Sequence, residues 1–168
     1  MSTHSHKKDA PQSITVGILT VSTTRTLDTD ESGQWIENQA SEAGHVVACR
    51  RLVSDDIAAI TDTVTEIVRH DRPQTLLITG GTGITEADVT IESLRPMFQK
   101  ELTAFGTLFT MLSYEEIGSA ALLSRAMAGV IDNTVVFCLP GSLNACRLAC
   151  NAIIFPEFGH LVHHTQKH

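Results

Sequence analysis

The sequence predicts an α/β fold: a three-layer α/β/α sandwich with a mostly parallel central sheet and a small antiparallel hairpin. Three observations carry that expectation. Apolar runs of strand length alternate with stretches of helical periodicity along most of the 168 residues. The runs are apolar on both faces, as strands covered by helices on either side must be. Near the end, the polar pair Asp132-Asn133 separates a brief "GVI" from the apolar run "TVVFCL", as a hairpin turn does. With 42% hydrophobic content the chain can build one real core, and its length argues for one domain. We expect that domain over residues 14–162, between a flexible polar tail over 1–13 and another over 163–168.

Taken in order, "ITVGILTV" (14–21) is the first strand. Trp35, Ile36, Gln39, Ala40 and Ala43 then follow at helical spacing, with Gly44 as the stop signal. "HVVACRRLV" is a second strand, and Ile57, Ile60, Val64, Ile67 and Val68 draw an apolar stripe down a second helix. "QTLLITG" is the third strand. From Ile91 to Ala128 the pattern predicts several short helices, broken near Pro96, Gly106 and Gly118. A last helix starts at Ser142 as N-cap, carries Ala145, Leu148, Ala149, Ala152 and Ile153 on one face, and is limited by Pro156.

Charge and composition narrow the function. A formal charge of −7 and a pI near 5.5 argue against a nucleic-acid protein, which carries a clustered basic surface. Small anions remain possible ligands, because a local site can be positive on an acidic protein. Cys49, Cys138, Cys146 and Cys150 sit in apolar contexts with no leader-like segment before them, which fits packing residues in the cytoplasm better than disulfides. Cys146 and Cys150 are one helical turn apart, but no second pair with zinc-like spacing accompanies them. Five of the eight histidines fall in the ends, at His4, His6, His163, His164 and His168. No apolar run approaches the ~20 residues of a membrane-spanning helix.

In a mostly parallel sheet, ligands bind outside the carboxyl ends of the strands. Those ends carry "STTR" (Ser22 to Arg25), "SDD" (Ser54 to Asp56), "GGTG" (Gly80 to Gly83) and "PGS" (Pro140 to Ser142). Gly80, Gly81 and Gly83 with the Thr82 hydroxyl suit a backbone N–H cradle for a phosphate or carboxylate; a tight turn with no ligand explains them as well. The loop is neither a P-loop nor a dinucleotide fingerprint, since no "GK[ST]" follows and G-x-G-x-x-G is incomplete. Asp88 repels an anion unless a cation stands between them, and Mg²⁺ held by one or two carboxylates with substrate phosphates is the natural choice. Asp55 or Asp56 would supply the second carboxylate; Asp88 as a helix cap is the plainer reading. Arg125 suits an anion clamp or a surface ion pair. Ser142 suits an anion at a helix N-terminus or a simple cap.

"TGGTGITEADVT", "SYEEIGSAALLSRAMAGV" and "LPGSLNACRLA", in this order and spacing, resemble the MoaB/Mog family of molybdenum-cofactor biosynthesis proteins, its MoaB branch in particular. "ILTVS", "DESG" (30–33) and "EAGH" (42–45) extend the resemblance, which spans about Ile14 to Phe158. It implies a domain that binds molybdopterin and adenylylates it with Mg-ATP, releasing pyrophosphate. It places essential acidic residues at Asp88 and, by the alignment of "LVSDD", at Asp55, both as Mg²⁺ holders. Substrate contacts are implied at Ser22, Gly80 to Gly83, Thr90 in the "DVT" segment, Ser124 and Pro140 to Ser142, with Arg125 beside them. The family forms trimers, or hexamers made from them, and the apolar "FGTLFTML" is a candidate contact surface. The alternative is a molybdopterin-binding or scaffolding protein of the same pathway that transfers no nucleotide.

Overall fold

The structure, a computed structural model, describes residues 11–165. Strands β1 (Thr15–Val21), β2 (Val46–Val53), β3 (Thr75–Thr79) and β6 (Thr134–Leu139) run parallel. Strands β4 (Lys100–Glu101) and β5 (Met127–Ile131) are antiparallel, and together the six form one sheet in the order β2-β1-β3-β6-β5-β4. The expected mostly parallel sheet with a hairpin is therefore what the chain builds. Asp132 and Asn133, with φ of 44° and 69°, make the two-residue turn between β5 and β6. Positive φ at both central residues matches the twist of paired strands, and Asn and Asp tolerate it.

Because successive strand residues point to opposite faces, the apolar runs feed two cores. Ile18, Leu77, Val135 and Phe137 face one layer, together with Ile36, Phe109 and Phe158. Leu19, Ile78, Val136 and Cys138 face the other, against Ile60, Val64 and Leu94. The first layer holds helices α1 (Glu31–Glu42), α4 (Thr103–Ile117), α5 (Leu143–Ala149) and α6 (Phe155–Thr165); the second holds α2 (Ile57–Glu66) and α3 (Thr90–Leu94). The stripe read along residues 57–68 is buried at Ile60, Val64, Ile67 and Val68, while Ile57 stays exposed.

Four expectations are corrected. Lys100 and Glu101, read as part of a helical stretch, pair with Val130 and Gly129 as an edge strand too short and polar to show an alternation. The middle segment does not break at Gly106: α4 runs through it for 15 residues. A Cβ at Gly106 would lie 2.9 Å from the Ala126 carbonyl oxygen, so this glycine lets the helix approach the chain entering β5. Pro156 does not end the last helix. A π turn over Cys150–Ile154 precedes it, and the proline falls in the first turn of α6, where its missing N–H costs least. Residues 163–165, expected in a C-terminal tail, belong instead to α6, which includes His163 and His164 and reaches Thr165; His4, His6 and His168 lie outside the described residues.

Alanine in place of an interior helical glycine ordinarily gains about 1 kcal/mol. At Gly106 the contact with Ala126 reverses the sign. Gly106→Ala is expected to lower stability by roughly 1–2 kcal/mol, read as a lower urea midpoint with an unchanged m value; a higher midpoint would show that the helix does not pack as closely as described.

Candidate functional site

The carboxyl ends of β1, β3 and β6 open into one cleft of about 590 Å³, walled by Ser22 to Arg25, Asp55, Gly80 to Gly83, Asp88, Leu123, Ser124, Pro140 and Gly141. A cavity of about 610 Å³ between Arg69, Arg72 and the 132–133 turn lies at the opposite end of the strands and holds no glycine loop. Chemistry is therefore sought at the first.

The glycine loop is bare first of all because the chain itself comes close. Gly80 has φ of 102° and Gly81 of 62°. A Cβ on Gly80 would strike the Val21 carbonyl oxygen, and one on Gly81 the Thr90 hydroxyl. At Gly83 a Cβ would lie 2.6 Å from an Asp88 carboxylate oxygen. Thr90 is fully buried and ties the loop down: its N–H donates to the Gly81 carbonyl (2.9 Å) and its hydroxyl to the Gly80 carbonyl (2.8 Å). With those two carbonyls turned inward, the other side of the loop faces the cleft.

The two acidic candidates stand at either end of this loop. Asp55 reaches it from the end of β2; its Oδ2 accepts from the Thr23 N–H (2.7 Å) and hydroxyl (2.6 Å). Its Oδ1 lies 3.2 Å from where a Gly81 Cβ would stand. Asp56, its neighbour, instead caps α2 by accepting from the Ala59 N–H at 2.8 Å, which leaves Asp55 as the residue on the cleft. Asp88 is not a helix cap. Val89 holds that position, and Asp88 Oδ2 accepts from the Thr85 hydroxyl (2.6 Å) and N–H (2.9 Å), closing a turn over residues 85–88. The Thr85 hydroxyl above all, with the Thr85 and Gly83 N–H groups and the Arg125 charge, holds the Asp88 carboxyl below its ordinary value against the opposing effect of burial. It is therefore ionised throughout the neutral and mildly acidic range.

Three residues expected at the ligand are turned to other work. Thr90 braces the loop, as above. Arg125 Nε donates to the Thr82 carbonyl (2.9 Å), and its two terminal nitrogens meet the Glu92 carboxylate at 2.6 and 3.3 Å. The guanidinium is thereby committed to a bidentate ion pair that braces the loop from behind. Ser142 caps α5 by accepting from the Ala145 N–H at 3.3 Å and does not line the cleft. Ser22, Gly80 to Gly83, Ser124, Pro140 and Gly141 do line it.

The cation that does stand on the cleft is Arg25, which the sequence placed on the rim in "STTR" without giving it a role. It donates to the Gly141 carbonyl (3.1 Å) and lies 4.0 Å from Asp30. Asp30 is buried beneath the rim, where it accepts from the Thr20 hydroxyl (2.7 Å), the Gly33 N–H (3.0 Å) and Arg50 (3.3 Å). The only hint in the sequence was the pairing of "STTR" with "DESG" a few residues on. Thiols take no part: Cys138 is fully buried with its pKa pushed up to about 12, and burial also raises Cys146 and Cys150.

A sequence profile of the family described as "Probable molybdopterin binding domain" matches residues 17–160. The molybdenum cofactor biosynthesis protein B of Bacillus subtilis is 46% identical over 99% of both chains. Its counterpart in Escherichia coli is 46% identical over 84% of each. Among solved structures, a molybdenum cofactor biosynthesis protein B superposes with a TM-score of 0.91 at 44% identity, over 95% of this chain and 99% of that one. The tungsten cofactor synthesizing protein MoaB of Pyrococcus furiosus does so with 0.84 at 37%, over 94% and 100%. A profile match over most of the domain, near-complete coverage by such relatives and the same fold agree: the chain belongs to the MoaB/Mog family of molybdopterin-binding domains.

Proposed function

We propose that the protein acts in molybdenum-cofactor biosynthesis by binding molybdopterin in the cleft and adenylylating its phosphate with ATP. One observation supports this above the rest: Asp55 and Asp88 stand at opposite ends of a glycine loop whose free side faces the same cleft. Carboxylates beside an anion cradle make chemical sense where a cation joins them to phosphates. Among the described residues no group of three or more His, Cys, Asp or Glu side chains holds a metal by itself. That donor set fits Mg²⁺, which keeps waters and completes its shell with substrate phosphates. Asp55 and Asp88 would hold it there, where it would offset the charge on the phosphates.

The chain's own part is positioning and charge compensation. The terminal phosphate of molybdopterin, with a second pKa of about 6, is already largely dianionic at neutral pH. One of its oxygens attacks the α-phosphorus of ATP; the new P–O bond forms as the bond to the β-phosphate oxygen breaks, and pyrophosphate leaves. No side chain needs to take a proton. The barrier is the approach of two anions, which the Gly81 and Thr82 N–H groups, the Ser22 and Ser124 hydroxyls and the Arg25 guanidinium would lower by holding both in line. Arg25 takes the clamp role in place of Arg125, whose charge Glu92 already compensates.

Asp88→Asn tests this. The amide keeps the turn but removes the charge, so adenylylation is expected to fall by at least a hundredfold while molybdopterin affinity and melting temperature change little. Wild-type turnover in the folded variant would overturn the metal-holding role.

We infer further that the chain assembles, as a trimer or a hexamer. Leu108, Met111, Tyr114 and Ile117 on α4 are each about half exposed or more, and Leu122 and Leu123 continue the apolar face at 84% and 57%. So much contiguous apolar surface marks an interaction site, and Leu123 also belongs to the cleft wall. Sedimentation is expected to show a species several times the 18.2 kDa chain; a monomer at micromolar concentration would remove the assembly and leave the adenylylation reading untouched.

A further inference from the structure

Away from the cleft, titratable side chains gather along one side of α6. Glu157, His160 and His164 follow at i, i+3 and i+7, so they lie one above another on the helix surface. Glu157 Oε2 is 3.0 Å from His160 Nδ1, and His160 Nε2 is 3.1 Å from His164 Nε2. The two imidazoles stand 4.8 Å apart at 69°, meeting edge to face with one nitrogen of each turned toward the other.

We propose that His160 and His164 chelate a first-row divalent cation of the imidazole-preferring kind, such as Zn²⁺ or Ni²⁺. Two nitrogens 3.1 Å apart, each roughly 2.05 Å from a shared ion, subtend about 98° at it. That angle falls between the octahedral right angle and the tetrahedral angle, so the spacing suits cis ligands once each ring turns by roughly 40° from the direct nitrogen-to-nitrogen contact to aim its lone pair at the ion. Glu157 supplies the outer partner such a site uses: by accepting the His160 Nδ1–H it fixes the tautomer that presents Nε2 as a lone pair. In the metal-free pair one Nε2 carries the proton between the rings; moving it to Nδ1 of His164 exposes the second lone pair. Two imidazoles select against Mg²⁺ and Ca²⁺, which want oxygen. Among the described residues no third His, Cys, Asp or Glu completes a shell.

The site joins successive turns of the last helix, which buries Phe158 and Val162 in the core. His164 also lines a separate cleft of about 420 Å³ with Lys100 and Asn133, at the hairpin-turn end of the sheet and far from the glycine loop. The expected consequence is a metal-dependent gain in stability of this helix, independent of the transfer chemistry.

Calorimetric titration of the full chain with Zn²⁺ and with Ni²⁺ tests it. One ion per chain is expected, with affinity falling at least tenfold in His160→Ala and in His164→Ala, and about tenfold in Glu157→Gln. A His4→Ala/His6→Ala variant controls for the N-terminal histidines and should keep the wild-type affinity. Zn²⁺ should raise the melting temperature of the wild type and of that control, but not of His164→Ala. Equal affinity in His164→Ala and wild type, loss of binding in the terminal variant alone, or no saturable binding would each overturn the site.

Discussion

Three strand ends meet at Gly80 with no side chain between them, and the site depends on that contact. The Val21 carbonyl at the end of β1 occupies the space a Gly80 Cβ would need, and a Cβ on Gly141, just past β6, would be 3.3 Å from the Gly80 Cα. The Gly80 N–H donates to the Leu139 carbonyl at 3.0 Å, so the parallel pairing of β3 and β6 is carried one residue beyond the strand. Any side chain there would push the rims of β1 and β6 apart and widen the cleft. The glycine cluster thus lets the chain's own backbone approach closely on one side and leaves its other side open to the cleft.

Fixed charges are arranged around that contact with a clear division of labour. Arg125 and Glu92 neutralise each other behind the loop, while Asp30 and Arg50 do the same under the rim, where Asp30 is buried. A buried carboxylate is costly unless paired and hydrogen-bonded, and Asp30 is both. What remains on the cleft is Arg25, Asp55 and Asp88. Their charges sum to a negative value, as do those of the whole chain at −7, so an anionic substrate would need a cation beside the two carboxylates.

Much of this was legible in the sequence. Apolar runs located β1, β3 and β6 to within a residue or so, because strands buried on both faces leave no polar interruption; β2, a half-exposed edge strand carrying Arg50 and Arg51, was found as closely from its apolar ends. The Asp132-Asn133 turn was readable because few residue pairs adopt positive φ twice. What escaped was set by partners distant in the chain. Gly106 looks like a helix breaker until Ala126 is seen against it, and Pro156 looks like a stop until the π turn before it is known. Arg125 read equally well as clamp or ion pair, since only the fold brings it to Glu92, 33 residues away. Arg25 was legible only as the last residue of the "STTR" rim loop, without a role, because an arginine in a polar loop carries no pattern until Gly141 and Asp30 are placed around it.

We propose nucleotide transfer in the cleft, and not pterin binding alone. Thiol chemistry finds no support in it, since Cys138 and Cys146, at the β6 end of the cleft, are buried with raised pKa values. The most direct measurement is the formation of adenylylated molybdopterin by the unmutated protein, given molybdopterin, ATP and Mg²⁺, with pyrophosphate release followed in the same reaction. The account predicts product and pyrophosphate in equal amounts, each dependent on all three additions. Tight molybdopterin binding with neither product nor pyrophosphate would contradict it and make the protein a carrier or scaffold of the same pathway.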